Sequence, residues 1–147
     1  MNDLKEDRLA LATHLDRLVR RLHADLHPKA VHVDDANVGP LGGMVLMTIE
    51  ENAPISVQDL AERVARDKGQ MTRILQSLER KALVERQAWP QDGRVSLLTL
   101  TNEGARLVSA FRRALAEVVD AMFVDVEPQE QVQFLAVLRK LLDAPPA

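Results

Sequence analysis

Three features of the sequence predict a mostly α-helical fold with one small β-hairpin. Apolar residues recur at spacings of three, four and seven along much of the chain, with charges between them. After Lys81 that period gives way to two runs rich in Val, Leu, Thr and Trp around Pro90-Gln91-Asp92-Gly93, a turn composition. Helix-start signals recur at Ser56 with Asp59, at Asp67 with Gln70, and at Thr101. With 147 residues, 46% apolar and 28% charged, the chain is expected to form one domain over 1–147 that buries a real core. It has no cysteine, which removes disulfides, thiolate metal ligands and thiol redox chemistry. The N-terminal stretch lacks an apolar signal core, and the apolar run at Met44–Ile49 is too short to cross a bilayer. The expected compartment is the cytoplasm, with no membrane partner.

The first helix is predicted over residues 3–27, on Leu4, Leu11, Leu15, Leu18, Leu22 and Leu26. Pro28 is expected to stop it, since proline has no N–H to give a helix. Lys29 to Asn37, polar and containing His and Asp, reads as a connecting loop. A second helix starts near Gly39-Pro40, where proline loses no hydrogen bond, and runs to about Asn52 on Leu41, Val45, Leu46 and Ile49. Gly42 and Gly43 either weaken its first turn or admit another backbone or a ligand. Ser56 caps a third helix whose buried face is Val57, Leu60, Ala61 and Val64, with Ile55 and Leu60 as the apolar staple.

Asp67 and Gln70 open the fourth helix, which buries Met71, Ile74, Leu75 and Leu78 and leaves Thr72, Arg73, Gln76, Ser77 and Arg80 for other faces. A two-stranded hairpin follows over Leu83–Trp89 and Arg94–Leu100. Trp89, on a strand, is assigned to the core rather than to stacking on nucleic acid. Thr101 caps a long helix from Asn102 to about Val124. Its coiled-coil-like seam of Val108, Phe111, Leu115, Val118 and Met122 is hard to satisfy within one small chain. Pro128 begins a last helix on Val132, Leu135, Leu138 and Leu142, and Pro145-Pro146 ends it.

Charge is distributed unevenly over these elements. From Arg63 to Arg94 there are eight basic residues (Arg63, Arg66, Lys68, Arg73, Arg80, Lys81, Arg86, Arg94) against four acidic ones (Asp67, Glu79, Glu85, Asp92). That segment is therefore net +4 in a chain of net −3, which points to a polyanion on one face. A short helix, a tight turn, a second helix and a basic-tipped hairpin make a winged helix-turn-helix. The second helix suits a major groove, and the hairpin tip a neighbouring minor groove, where one arginine gains from concentrated negative potential.

The text LAERVARDKGQMTRILQSLERKALVER, the wing PQDGR and the following LTNEG together resemble the multiple-antibiotic-resistance regulator (MarR) family. The matching positions are Leu60, Ala61, Glu62 and Arg63; Thr72 and Arg73; Asp92 and Arg94; and Leu100, Thr101 and Gly104. Ala65 and Ala82 stand where the family often has glycine, and Arg66 where it usually has an apolar residue. Gln87, Ala88 and Gly93 occupy wing positions that often hold arginine. Ala82 must adopt a less comfortable conformation or shift the helix end, at a cost of roughly 1 kcal/mol.

The resemblance implies a sequence-specific regulator of transcription that binds double-stranded DNA at a pseudo-palindromic operator. It implies a homodimer built from helices about 3–27 and 102–143 flanking a lobe at about 38–100, and a repressor released by a small phenolic or anionic effector. DNA contacts fall to Lys68, Gln70, Thr72, Arg73, Gln76, Ser77 and Arg94. Asp92 supports the wing by orienting Arg94 or closing the turn, since phosphates repel a carboxylate. The effector pocket is assigned to His14, Leu18, Met44, Met47 and Phe111, with ordinary core packing as the competing role of the two methionines.

No cofactor is expected, and no nucleophile–base arrangement or phosphate-binding glycine loop supports an enzyme. His23 and His27 have metal-ligand spacing, and His32, Asp34 and Asp35 are possible additions, but a solvated pair is the favoured reading and no metal is assigned. Two alternatives stand beside the DNA reading: a winged-helix protein-interaction module without DNA binding, and a metal-responsive regulator.

Overall fold

A computed structural model describes residues 2–64 and 66–145. Helix α1 (Asn2–Val33) leads to α2 (Gly39–Asn52), a two-residue strand β1 (Ile55–Ser56), α3 (Val57–Val64) and α4 (Lys68–Arg80). Strands β2 (Val84–Trp89) and β3 (Asp92–Leu100) precede α5 (Asn102–Met122) and α6 (Pro128–Asp143). The fold is mostly helical with a small antiparallel sheet. Among the described residues, no helix is long and apolar enough to cross a membrane.

Pro28 does not stop α1. The helix runs through it to Val33, because the turns beyond it gain tertiary contacts that offset the missing hydrogen bond. Ala30 and Val33 pack against the core, and Lys29 Nζ donates to Glu117 Oε2 of α5 at 3.0 Å. The connecting loop is therefore short. Within it, the two oxygens of Asp34 accept the N–H groups of Val38 (3.0 Å) and Gly39 (2.9 Å), so α2 is capped from upstream. Gly43 of α2 admits the side chain of Phe111: a Cβ there would lie 3.3 Å from the ring.

The local start signals form as their chemistry demands. Ser56 Oγ accepts from Asp59 N at 3.1 Å and Asp67 Oδ1 from Gln70 N at 2.8 Å. The core joins Leu46 and Ile49 of α2, Leu60 of α3, Met71 and Leu75 of α4, Leu98 of β3, and Leu107 and Val108 of α5.

The sheet has three strands rather than two, in the order β1-β3-β2, because Ile55 and Ser56 pair with Leu98 and Leu97. Regular pairing of β2 with β3 runs from Val84↔Leu100 to Ala88↔Ser96, and after an irregularity Trp89 faces Asp92. The turn is thus confined to Pro90-Gln91, and Asp92 and Gly93 belong to β3. Trp89 is not a core residue. Only Val84 of β2 is buried; Trp89 lies five residues on, at the far end of the ribbon, 38% exposed.

The end of α4 explains the chain's tolerance of alanine at position 82. Ala82 adopts a positive φ of 57°. Its N–H donates to Glu79 O (2.9 Å), and that of Leu83 donates to Leu78 O (3.0 Å). This is the paired Schellman closure, with buried Leu78 and Leu83 as its apolar contact.

The α5 seam corrects a further expectation in part: Val108, Phe111 and Val118 are buried within the chain, while Leu115 and Met122 are half-buried. Apolar side chains remain uncovered elsewhere, at Leu9, Leu11, Leu15 and Val19 of α1 and along α6, which buries no residue. Arg112 of α5 holds the end of α2 through Glu50 (2.9 Å) and Glu51 (3.3 Å). Partial burial weighs against its charge, but those two hydrogen bonds prevail and its pKa is raised above the ordinary arginine value.

Ala82→Gly should stabilise the fold by about 0.5–1 kcal/mol, since relief of the left-handed conformation exceeds glycine's added freedom in the unfolded chain. Thermal unfolding should shift up by about 1–4 °C. A lower midpoint would show that the positive φ carries no strain.

Candidate nucleic-acid interface

Helix α4 presents its N-terminus and one long face to solvent because its other face is anchored by Met71, Leu75 and Leu78. The Asp67 cap fixes the first turn, so the unpaired N–H groups and the exposed Lys68 share one end. Arg73 and Gln76 are exposed, and Gln70, Thr72 and Ser77 are half-buried along the same helix. Thr72 Oγ1 donates to Lys68 O at 2.8 Å, which commits its hydroxyl hydrogen to the helix and leaves its methyl group for an outside partner.

The structure divides the basic residues by task. Among the described residues, Lys68, Arg73 and Arg80 enter no ion pair. Two others brace the lobe. Arg86 of β2 bonds Glu79 of α4 at 2.7 Å, and Lys81 Nζ donates to Asn37 O at 2.8 Å. Charge counting alone does not distinguish these braces from outward cations.

At the hairpin end, Arg94 has a side chain 91% exposed and donates to Asp92 Oδ1 from both Nε (3.2 Å) and its backbone N–H (3.1 Å). Asp92 therefore both orients Arg94 and holds the start of β3. The turn residue Ala65 lies outside the described residues.

A cleft of ≈ 770 Å³ opens between α1, α2 and α5. Met44, Met47 and Phe111 line it together with His23, His27, Leu115 and Arg66. His14 and Leu18 do not. Because α1 continues past Pro28, its residues level with α2 are those from His23 onward, and His14 lies about 20 Å from His27 along the axis. Instead His14 Nδ1 sits 2.7 Å from Ala10 O. Arg66 was hidden from the periodicity because it stands in the turn before α4, outside any helical face. Among the described residues, no three His, Asp or Glu side chains converge as metal ligands.

A sequence profile described as the MarR family matches residues 43–96. YxaD, described as an uncharacterised helix-turn-helix-type transcriptional regulator of Bacillus subtilis, is 30% identical over 118 residues, covering 77% of this chain and 82% of that protein. The fold is similar to that of a Staphylococcus aureus MepR mutant solved bound to an oligodeoxyribonucleotide, with TM-score 0.62, 25% identity, and 87% and 95% of the two chains covered. It is also similar to the PcaV transcriptional regulator of Streptomyces coelicolor, solved with its natural ligand. There the TM-score is 0.58, the identity 26%, and the coverage 91% and 90%.

Proposed function

Because this chain belongs to the MarR family of non-enzymatic, DNA-binding transcription regulators, we propose that it acts in the cytoplasm as a homodimeric repressor of a pseudo-palindromic operator, released by a small anionic aromatic effector. The observation that carries the reading is the Asp67-capped α4, whose exposed Lys68 and Arg73 lie on the same lobe as the outward Arg94. Arg73, with Gln70 and Gln76, reads base edges in the major groove, the Thr72 methyl meets a thymine methyl, and Lys68 and Ser77 hold phosphate. The MepR–oligodeoxyribonucleotide complex supports this docking by analogy.

In a gel-shift salt series, Arg73→Ala should weaken operator binding by about 5- to 150-fold and relax preference among duplexes. Lys68→Ala should reduce the magnitude of the salt slope by about one while leaving preference intact. Unchanged binding in both variants would sink the assignment of α4.

The pairing surface of the dimer is read onto residues about 3–27 and 102–143, around a DNA-binding lobe at about 38–100. It is supported by the uncovered side chains of α1 and of α6, where Val132 is 68% and Leu142 82% exposed. Sedimentation of the intact chain should give a dimer, and Leu135→Glu with Leu142→Glu a monomer that has lost operator affinity. A monomeric wild type at micromolar concentration would refute the proposal.

The effector reading rests on the cleft, where Met44, Met47, Phe111 and Leu115 supply apolar walls and Arg66 a cation. The ligand-bound PcaV structure supports it by analogy. An anion there would pull on the turn that leads into Asp67 and α4. Salicylate, as a probe, should weaken operator binding by the wild type, and Arg66→Ala should bring the ratio of affinities with and without salicylate close to one. Absence of any salicylate effect on wild-type operator binding or thermal stability would count against this ligand class.

A further inference from the structure

Trp89, the single tryptophan of the chain, stands at the hairpin end that also carries the outward Arg94. It pairs with Asp92 across the two-residue turn, just past an irregularity in the β2–β3 ladder. Asp92 in turn accepts from Arg94 Nε. Trp89, Asp92 and Arg94 are thus gathered at the hairpin tip. The core does not account for the tryptophan, since the rest of β2 beyond Val84 is exposed.

Electrostatics alone gives this wing little hold on DNA. From Val84 to Leu100 the charges are Glu85, Arg86, Asp92 and Arg94, which sum to zero. Arg86 is also committed to Glu79. An apolar, flat side chain at the tip supplies what the charge lacks. Minor-groove walls are built of deoxyribose C–H surface, and the floor presents acceptors at A N3 and T O2. An indole offers an apolar face to the first and one N–H donor to the second.

We propose that Trp89 is a DNA-contacting residue of the wing, its indole lying against the sugar wall of the minor groove while Arg94 enters the groove beside it. The proposal rests on the DNA-binding reading above and adds a contact of a different physical kind. Its contribution to affinity is insensitive to salt, whereas that of Arg94 follows counterion release.

The test uses the full-length protein and a duplex recovered by selection from a random pool. Because Trp89 is the only indole, its fluorescence reports on the wing alone. Titration with the duplex should change its emission and saturate with binding. Trp89→Ala should weaken binding by about 5- to 150-fold, the range for one lost aromatic contact. That factor should be the same at each salt concentration, with the slope unchanged, while Arg94→Ala reduces the slope magnitude by about one. Trp89→Phe should recover part of the loss. Replacing flanking adenines by 2,6-diaminopurine, which adds an amino group to the groove floor, should weaken the wild type more than Trp89→Ala. If the duplex binds with unaltered emission and Trp89→Ala binds as the wild type does, the Trp89 contact is overturned and the DNA reading stands. If the selection recovers no duplex, both fall.

Discussion

The junction between the recognition helix and the long helix that follows the hairpin is closed by one threonine. Thr101 donates its hydroxyl to Ala82 O at 2.7 Å and accepts Gly104 N at 3.0 Å on the same oxygen, while its own N–H donates to Leu83 O at 3.1 Å. The last residues of α4's cap and the first turn of α5 are therefore held by one side chain and its backbone. Gly104 is part of the same device, because any Cβ there would collide with the Leu83 carbonyl. The direction in which α4 points depends on this closure, since α5 reaches back along α1 while α4 faces outward.

The parts of the fold legible in the sequence are those decided within one turn of helix. Ser56, Asp67 and Thr101 cap helices because the acceptor and the N–H it satisfies are three residues apart. The buried faces of α3 and α4 follow from period alone, and the strain at Ala82 from the residue type that ends a helix. The errors arise where distant contacts decide. Pro28 reads as a stop until Lys29, Ala30 and Val33 are seen against α5 and the core. Ile55 and Ser56 are too few to signal a strand without β3 beside them. Trp89 reads as core by residue type, but its position at the ribbon's end governs.

The candidate interface was legible in its location and less so in its parts. The eight basic residues mark the lobe, yet Arg86 is paired with Glu79 and Arg94 with Asp92, while Lys81 is tethered to the Asn37 carbonyl. This matters for electrostatics, because a cation already paired adds little to the attraction felt by a polyanion. Arg86–Glu79 also ties the hairpin to α4. The cleft shows the opposite case. Its methionines and Phe111 were visible from the sequence, while the residues of α1 that face them depended on how far the helix continued.

Helix α6 buries none of its residues. A helix of sixteen residues docked through little more than the contact of Phe134 with Phe123 is marginal in water, so much of its stability must come from whatever covers it. If a second copy does so, folding of the C-terminal segment and association become one equilibrium, and the melting temperature rises with protein concentration. The cellular abundance of the protein then becomes a thermodynamic variable. Dilution would separate the two DNA-reading lobes and also unravel the segment that joins them, which makes each loss of pairing a target for proteolysis.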